Sequence, residues 1–154
     1  MYRRNSVIIT AAGVMALLAN VAWDRFDQYA KAKESPTNWF YVNNINVADG
    51  KAFDSKLPII YDRIILRPFY GEWRAEIHQA QTQFTVCFGS GESYYEPKDT
   101  LPNAGVSLEW FMGRKCDLSP GQYYLEVNYK ISPLNYPDKT YRAVSNLFTL
   151  NPPS

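Results

Sequence analysis

The sequence predicts an all-β fold, an antiparallel sandwich of about seven strands, preceded by one N-terminal transmembrane helix. Three observations carry that expectation. From Trp39 onward apolar residues recur with a period of two, the spacing of strands buried on one face. Turn-rich pieces such as Ala48–Lys51, Pro102–Asn103 and Ser119–Gly121 separate the runs, as in an all-β domain. No charged residue lies between Asn5 and Trp23, and the run 6–23 is almost wholly apolar.

As a helix, residues 6–23 would span about 27 Å, close to the hydrocarbon core of a bilayer at about 30 Å. Arg3 and Arg4 precede the run, which favours a cytoplasmic N-terminus. Trp23, Phe26 and Tyr29 follow where an aromatic belt would meet the far interface. A cleaved signal peptide is the alternative, since it shares the basic start and apolar body. Cleavage after Ala22 would place Asn20 at the −3 position, and cleavage after Ala19 would place Leu17 there; both are poor processing sites. A buried core helix is the third reading. Residues 24–33 continue as helix, with Asp27 and Lys31 forming an i,i+4 pair, until Ser35-Pro36 ends it. The expected organisation is a basic stub at 1–5, a span at 6–23, a helical extension and linker at 24–38, an exported sandwich at 39–151 and a tail at 152–154.

The strand candidates follow in order. Phe40–Val47 comes first, then Ile59–Leu66, bracketed by Pro58 and Pro68. In the second, alternation groups Asp62 with Ile60, Ile64 and Leu66. Either a bulge turns Asp62 outward or an arginine (Arg63, Arg67 or Arg74) pairs with it inside, in a structural role. Gly71–His78 places Trp73, Ala75 and Ile77 inward. Gln83–Phe88 follows, and Gly89–Ser93 reads as a loop or hairpin turn. Val106–Met112 puts Val106, Leu108, Trp110 and Met112 inward. Tyr123–Ile131 has the cleanest alternation, and Val144–Leu150 is the last candidate.

Leu118-Ser-Pro-Gly-Gln-Tyr-Tyr-Leu-Glu-Val127 resembles the L-x-P-G-x-Y-x-L-x-V segment of bacterial immunoglobulin-like and fibronectin-like domains. The resemblance covers about ten residues and recurs in many families. It implies an Ig-like sandwich in which Tyr123 packs back on the turn, with Leu125 and Val127 in the core. Trp110 lies just before Cys116 instead of shortly after the first Cys, unlike antibody-type domains.

Cys87 and Cys116 both fall in the part expected to be exported, so a disulfide is the default reading. The competing reading is a pair of small buried hydrophobes. No metal is expected, because two cysteines and a single histidine, His78, lack ligand spacing. No cofactor motif or catalytic constellation occurs: G-x-x-x-x-G-K-[ST], H-E-x-x-H and G-x-S-x-G are absent. His78 shares parity with Glu72, Arg74 and Glu76 and reads as a solvated strand residue.

The net charge of +1 argues against nucleic-acid binding. Residues 1–34 carry Arg3, Arg4, Arg25, Lys31 and Lys33 against Asp24, Asp27 and Glu34, which leaves the body slightly acidic. Twelve tyrosines contribute to an aromatic share of 16%. Most are explained as strand formers. Tyr94, Tyr95, Phe111, Tyr124 and Tyr136, by loop position or outward parity, form a candidate binding patch. The expected function is a non-enzymatic protein-interaction or assembly module, held single-pass in a bacterial or phage-infected cell's inner membrane. Its β domain would be periplasmic and meet an envelope protein partner. An envelope glycan-binding module using loop aromatics is the alternative, and a secreted domain released by cleavage is another.

Overall fold

The computed structural model describes residues 3–101 and 105–153, with side chains from Gly13 onward. The chain divides into two compact units, Met1–Glu34 and Ser35–Ser154. The first is an unbroken helix, α1 (Arg3–Lys33). It contains the Asp27–Lys31 pair at 2.7 Å. Ser35 then caps a single 3-10 turn, Pro36–Asn38, by accepting from the Thr37 N–H at 3.3 Å. Among the described residues no helix is long and apolar enough to cross a membrane. The predicted span 6–23 falls partly outside them, since the side chains of 6–12 are not described.

The second unit is all-β, a disulfide-bonded sandwich-like arrangement. Its strands are β1 (Phe40–Val47), β2 (Gly50–Lys51), β3 (Pro58–Ile65), β4 (Phe69–Gln79), β5 (Thr85–Tyr95), β6 (Val106–Ser107), β7 (Gly121–Ser132), β8 (Lys139–Val144) and β9 (Phe148–Asn151). One sheet has the order β1-β3-β6. The other runs β2-β9-β7-β4-β5, with β8 also on β7. All pairings are antiparallel except the two-residue β2–β9 contact, which is parallel. The sheets meet through Phe40, whose ring lies 4.6 Å from that of Tyr129, and through Asn146. The Asn146 carboxamide accepts from the Val47 N–H at 2.8 Å and donates to the Val47 carbonyl at 3.0 Å. Phe40, Ile77, Leu125, Val127, Ile131 and Phe148 are fully buried between them.

Four expectations about the strands need correction. Val106–Met112 is not one strand: after β6 the chain turns into a short helix, α2 (Leu108–Met112). Ser107 caps it by accepting from the Trp110 N–H at 3.2 Å, and Gly113 ends it at φ 65°. Helical spacing then buries Leu108, Phe111 and Met112 and turns Trp110 out. Gly89–Gly91 is not a turn either, because β5 runs through it. A Cβ on Gly89 would sit 2.1 Å from the Met112 carbonyl oxygen, and one on Gly91 would sit 2.8 Å from the Trp73 ring. Both glycines permit close approach inside a strand. In β3 the inward parity is Ile59, Tyr61 and Ile65, with Arg63 among them, so Ile60, Asp62 and Leu66 face solvent. Asp62 is therefore exposed without being turned, and accepts from Asn43 Nδ2 at 2.9 Å. The bulge lies opposite, in β1 at Asn43. Finally, β8 has no counterpart among the strands expected from sequence.

The disulfide joins Cys87, inward on β5, to Cys116 beyond α2, with Cα atoms 6.0 Å apart. Tyr123 is buried, and its hydroxyl donates to the Ser119 carbonyl at 2.9 Å. That bond folds the Pro120-Gly121 turn back on β7, while Leu125 and Val127 enter the core.

Candidate functional site

The three-strand sheet is much smaller than the sheet it faces. Its edge element β6 pairs only with Pro58 and Ile59 of β3. Beyond that point, among the described residues, the flank of β3 has no neighbour, and the inner faces of β4 and β5 are roofed by α2 instead. A cavity of about 290 Å³ results. β3 contributes Tyr61 and Arg63, β4 and β7 contribute Trp73 and Tyr129, and β5 contributes Ser93 and Tyr95. Trp110 and Phe111 of α2 close one end.

Tyr129, Tyr61, Arg63 and Tyr95 form one chain of polar contacts in the cavity. Tyr61 and Tyr129 share a hydrogen bond of 2.6 Å between their hydroxyls, across the two sheets. Burial pushes the Tyr61 phenol up to about 12, and the neighbouring Tyr129 hydroxyl and Arg63 charge pull it back only in part. Burial likewise raises Tyr129 well above the ordinary phenol range. It raises Tyr95 as well, against the opposing pull of Arg63. The guanidinium lies over the Tyr95 ring, 5.0 Å from its centroid. Arg63 Nε is buried and has no hydrogen-bond partner among the described residues. Arg63 is also the only charged residue lining the cavity, among those described. An adjoining recess shares Arg63, Ser93 and Tyr95 and adds Lys98 and Asp99. There Lys98 pairs with Glu96, and the Asp99 carboxylate accepts from the Glu96 N–H at 2.7 Å.

The residues proposed as a binding patch do not form one. Tyr94 is exposed at 57%, but Tyr95, the last residue of β5, is buried at 6% because its parity points inward. Phe111 is buried at 6% by the helical turn that the strand reading missed. Tyr124 is half-covered and stacks on the His78 ring at 5.0 Å. Tyr136 packs edge-on against the buried Trp39 at 4.9 Å. Among the structural residues, Trp73 is half-buried over Gly91, while Trp110, expected inside, is 53% exposed at the cavity rim. His78 is not a solvated residue. Its Nδ1 lies 3.3 Å from both the Gln83 carbonyl and the Thr85 hydroxyl, and Tyr124 covers its face. Among the described residues, no cluster of His, Cys, Asp or Glu is placed to hold a metal ion.

Sequence reasoning passed over Arg63 as a site residue and over the outer face of β5. Val86 and Phe88 on that face are exposed at 46% and 49%, and Phe84 just before the strand at 72%. Strict alternation with the inward Cys87 was the available signal. Across the sheet from the cavity, the outer faces of β4, β7 and β8 carry paired charges: Lys130 reaches Glu72 at 3.0 Å and Asp138 at 3.4 Å, and Arg142 bonds Glu126. Such ladders are ordinary solvated faces.

The fold and its cavity define a small disulfide-bonded all-β protein of the sandwich type. Comparison with family models, with curated proteins and with solved structures finds no match.

Proposed function

We propose that this chain is a non-enzymatic interaction module, an Ig-like sandwich tethered by residues 6–23 to a bacterial-type inner membrane and displayed on its outer side. The single observation that carries the interaction reading is the apolar outer face of β5. Among the described residues β5 pairs only with β4, so it is an edge strand, and Val86 and Phe88 stand exposed along it, with Phe84 exposed just before its start. Edge strands are normally blunted by charge or proline, and apolar surface left on one marks a partner site. Arg74 and Arg114 lie over the Phe88 ring, 5.4 and 5.8 Å from its centroid. Arg74 is already paired with Glu76 at 2.6 Å, so Arg114 supplies the cationic edge of a face that suits an exported protein segment with apolar side chains flanked by a carboxylate, added alongside β5. The disulfide supports an oxidising compartment. The tether rests on the uncharged run behind Arg3 and Arg4 and on the unbroken helix that contains it.

A photoreactive residue at Val86, activated in intact membranes, tests the reading. One dominant protein adduct is expected, lost in Phe88→Ser. Absence of any adduct at Val86, with adducts formed from Ile60 or Leu147 instead, would overturn it. A reporter fused after Asn38 is expected to score outside the cytoplasm, and a cytoplasmic signal would remove the tether and its orientation.

A further inference from the structure

We propose that the cavity between β3, β5 and α2 binds a small monoanionic ligand, a carboxylate carried on a six-membered ring. The inference is independent of the β5 face and of the tether.

Arg63 stands on the inward parity of β3, where Ile59, Tyr61 and Ile65 pack into the core. Arg63 is half-buried, with its Nε fully buried, so the cation loses part of its hydration, and structural arginines in such places are normally compensated by a carboxylate. None lines this cavity among the described residues. The guanidinium is surrounded by the Tyr95 face and the hydroxyls of Tyr61 and Tyr95, and its own Nε has no hydrogen-bond partner among the described residues. Tyr61 and Tyr129 already spend one hydroxyl proton on each other, so the unmet capacity at the site is donor capacity. Guanidinium donors in a fixed fork match a carboxylate. One cation, not a cluster, selects a single negative charge.

The remainder of the lining is flat and apolar. Trp73 and Phe111 lie 6.0 Å apart between centroids at an angle of 50°, and Trp110 stands exposed at the rim. Aromatic faces suit a ring body, whether an arene or a pyranose. A volume of about 290 Å³ is at the lower end for ligand sites, which limits the occupant to about one ring with its carboxylate. Ser93 also lines the cavity; its hydroxyl donates to the Tyr94 carbonyl at 3.3 Å and can accept from a ring substituent.

The test titrates the full-length chain, disulfide intact, with benzoate and glucuronate and with the uncharged benzamide and glucose, by calorimetry and tryptophan fluorescence. Saturable binding of at least one acid is expected, with its neutral counterpart about tenfold weaker or worse, a difference of about 1.4 kcal/mol. Benzoate alone identifies an aromatic acid, and glucuronate alone an acidic sugar. Arg63→Gln is expected to weaken the acid about tenfold and leave the neutral compound unchanged. Trp110→Ala, at an exposed rim position, keeps the test open if Arg63→Gln does not fold, and is expected to weaken binding about threefold. The proposal fails if neither acid saturates, if the neutral compounds bind equally well, or if folded Arg63→Gln binds like the native chain.

Discussion

Breaking the Cys87–Cys116 bond should remove a large share of the stability of the β unit. The bond closes a loop of sequence separation 29. With the chain-entropy relation, that loop restricts the unfolded ensemble by about 12 cal/mol/K, or about 3.6 kcal/mol at 25 °C. Small domains have a total of about 5–15 kcal/mol. The loop contains the glycine strand segment of β5, the chain to β6 and the whole of α2, so reduction loosens the roof of the cavity first. The assay is urea denaturation of the oxidised chain, the reduced chain, each single Cys→Ala variant and the double variant. Both single variants and the double variant should lose about the same amount, since removing either sulfur removes the cross-link. Two outcomes refute the reasoning: a loss on reduction below about 1 kcal/mol, or single losses that add in the double variant. Additivity would mean that each sulfur acts as an independent buried hydrophobe.

Gly89→Ala should destabilise by roughly 2–4 kcal/mol, because the added methyl meets the Met112 carbonyl at 2.1 Å and backbone must move; a denaturant midpoint equal to the native one would refute it. Tyr61→Phe leaves the buried Tyr129 hydroxyl without its 2.6 Å partner and should lose about 1–2 kcal/mol, with the Tyr61→Phe/Tyr129→Phe double variant losing less than the sum. Alkaline unfolding follows from the same pair. Burial favours the neutral phenol and lifts Tyr61 to about 12, against about 10 in the unfolded chain. Its contribution is complete below pH 10 and is lost as pH climbs through 12. Circular dichroism should stay native up to pH 10, with phenolate absorbance from these two residues appearing only as structure is lost; melting already complete at pH 9 would contradict it. Arg63→Met should hold or raise stability while weakening ring-acid binding about tenfold, since an apolar chain replaces a cation that has no carboxylate partner in the cavity among the described residues. A loss above about 2 kcal/mol would instead make Arg63 a structural cation.

Much of the fold was legible in the sequence where one face of a strand is apolar and the other polar. β1 coincides with the expected Phe40–Val47, and β7 extends the expected Tyr123–Ile131 by a few residues. These elements sit where one face meets the core. The failures occur where a second signal competed with the period. In Val106–Met112, Ser107 and Gly113 stood at the two positions that cap a single helical turn, and that punctuation outweighs alternation over so short a stretch. In Gly89–Gly91 the reverse held. The glycines looked like a turn, yet the tertiary neighbours Met112 and Trp73 are what exclude a side chain there. No local pattern carries that information, because the partners are distant in sequence. The misplacement of Phe111 and Tyr95 in the patch follows directly from these two errors.

β3 joins this question of legibility to the question of function. Its apolar residues occur on both parities, Ile59 and Ile65 on one, Ile60 and Leu66 on the other, so hydrophobicity alone does not choose the inward face. The choice is made by what the opposite sheet offers. Tyr129 presents a hydroxyl at the height of Tyr61, and the 2.6 Å bond between them is available only if the odd-numbered residues point inward. That register carries Arg63 onto the same face, half-buried, and leaves Ile60 exposed to solvent. A fold selected for stability alone would gain from an apolar residue at position 63, whereas the other register would exchange Arg63 for Asp62 inside and lose the Tyr61–Tyr129 bond. The chain instead keeps a cation under the open flank of β3, beside two tryptophans and without a buried carboxylate lining the cavity. Natural sequences depart from local consistency chiefly at sites under a second constraint. Here the departure, the flank of β3 that carries no strand among the described residues and the cavity coincide at one residue, and so Arg63, more than the surface tyrosines, is where a ligand should be sought.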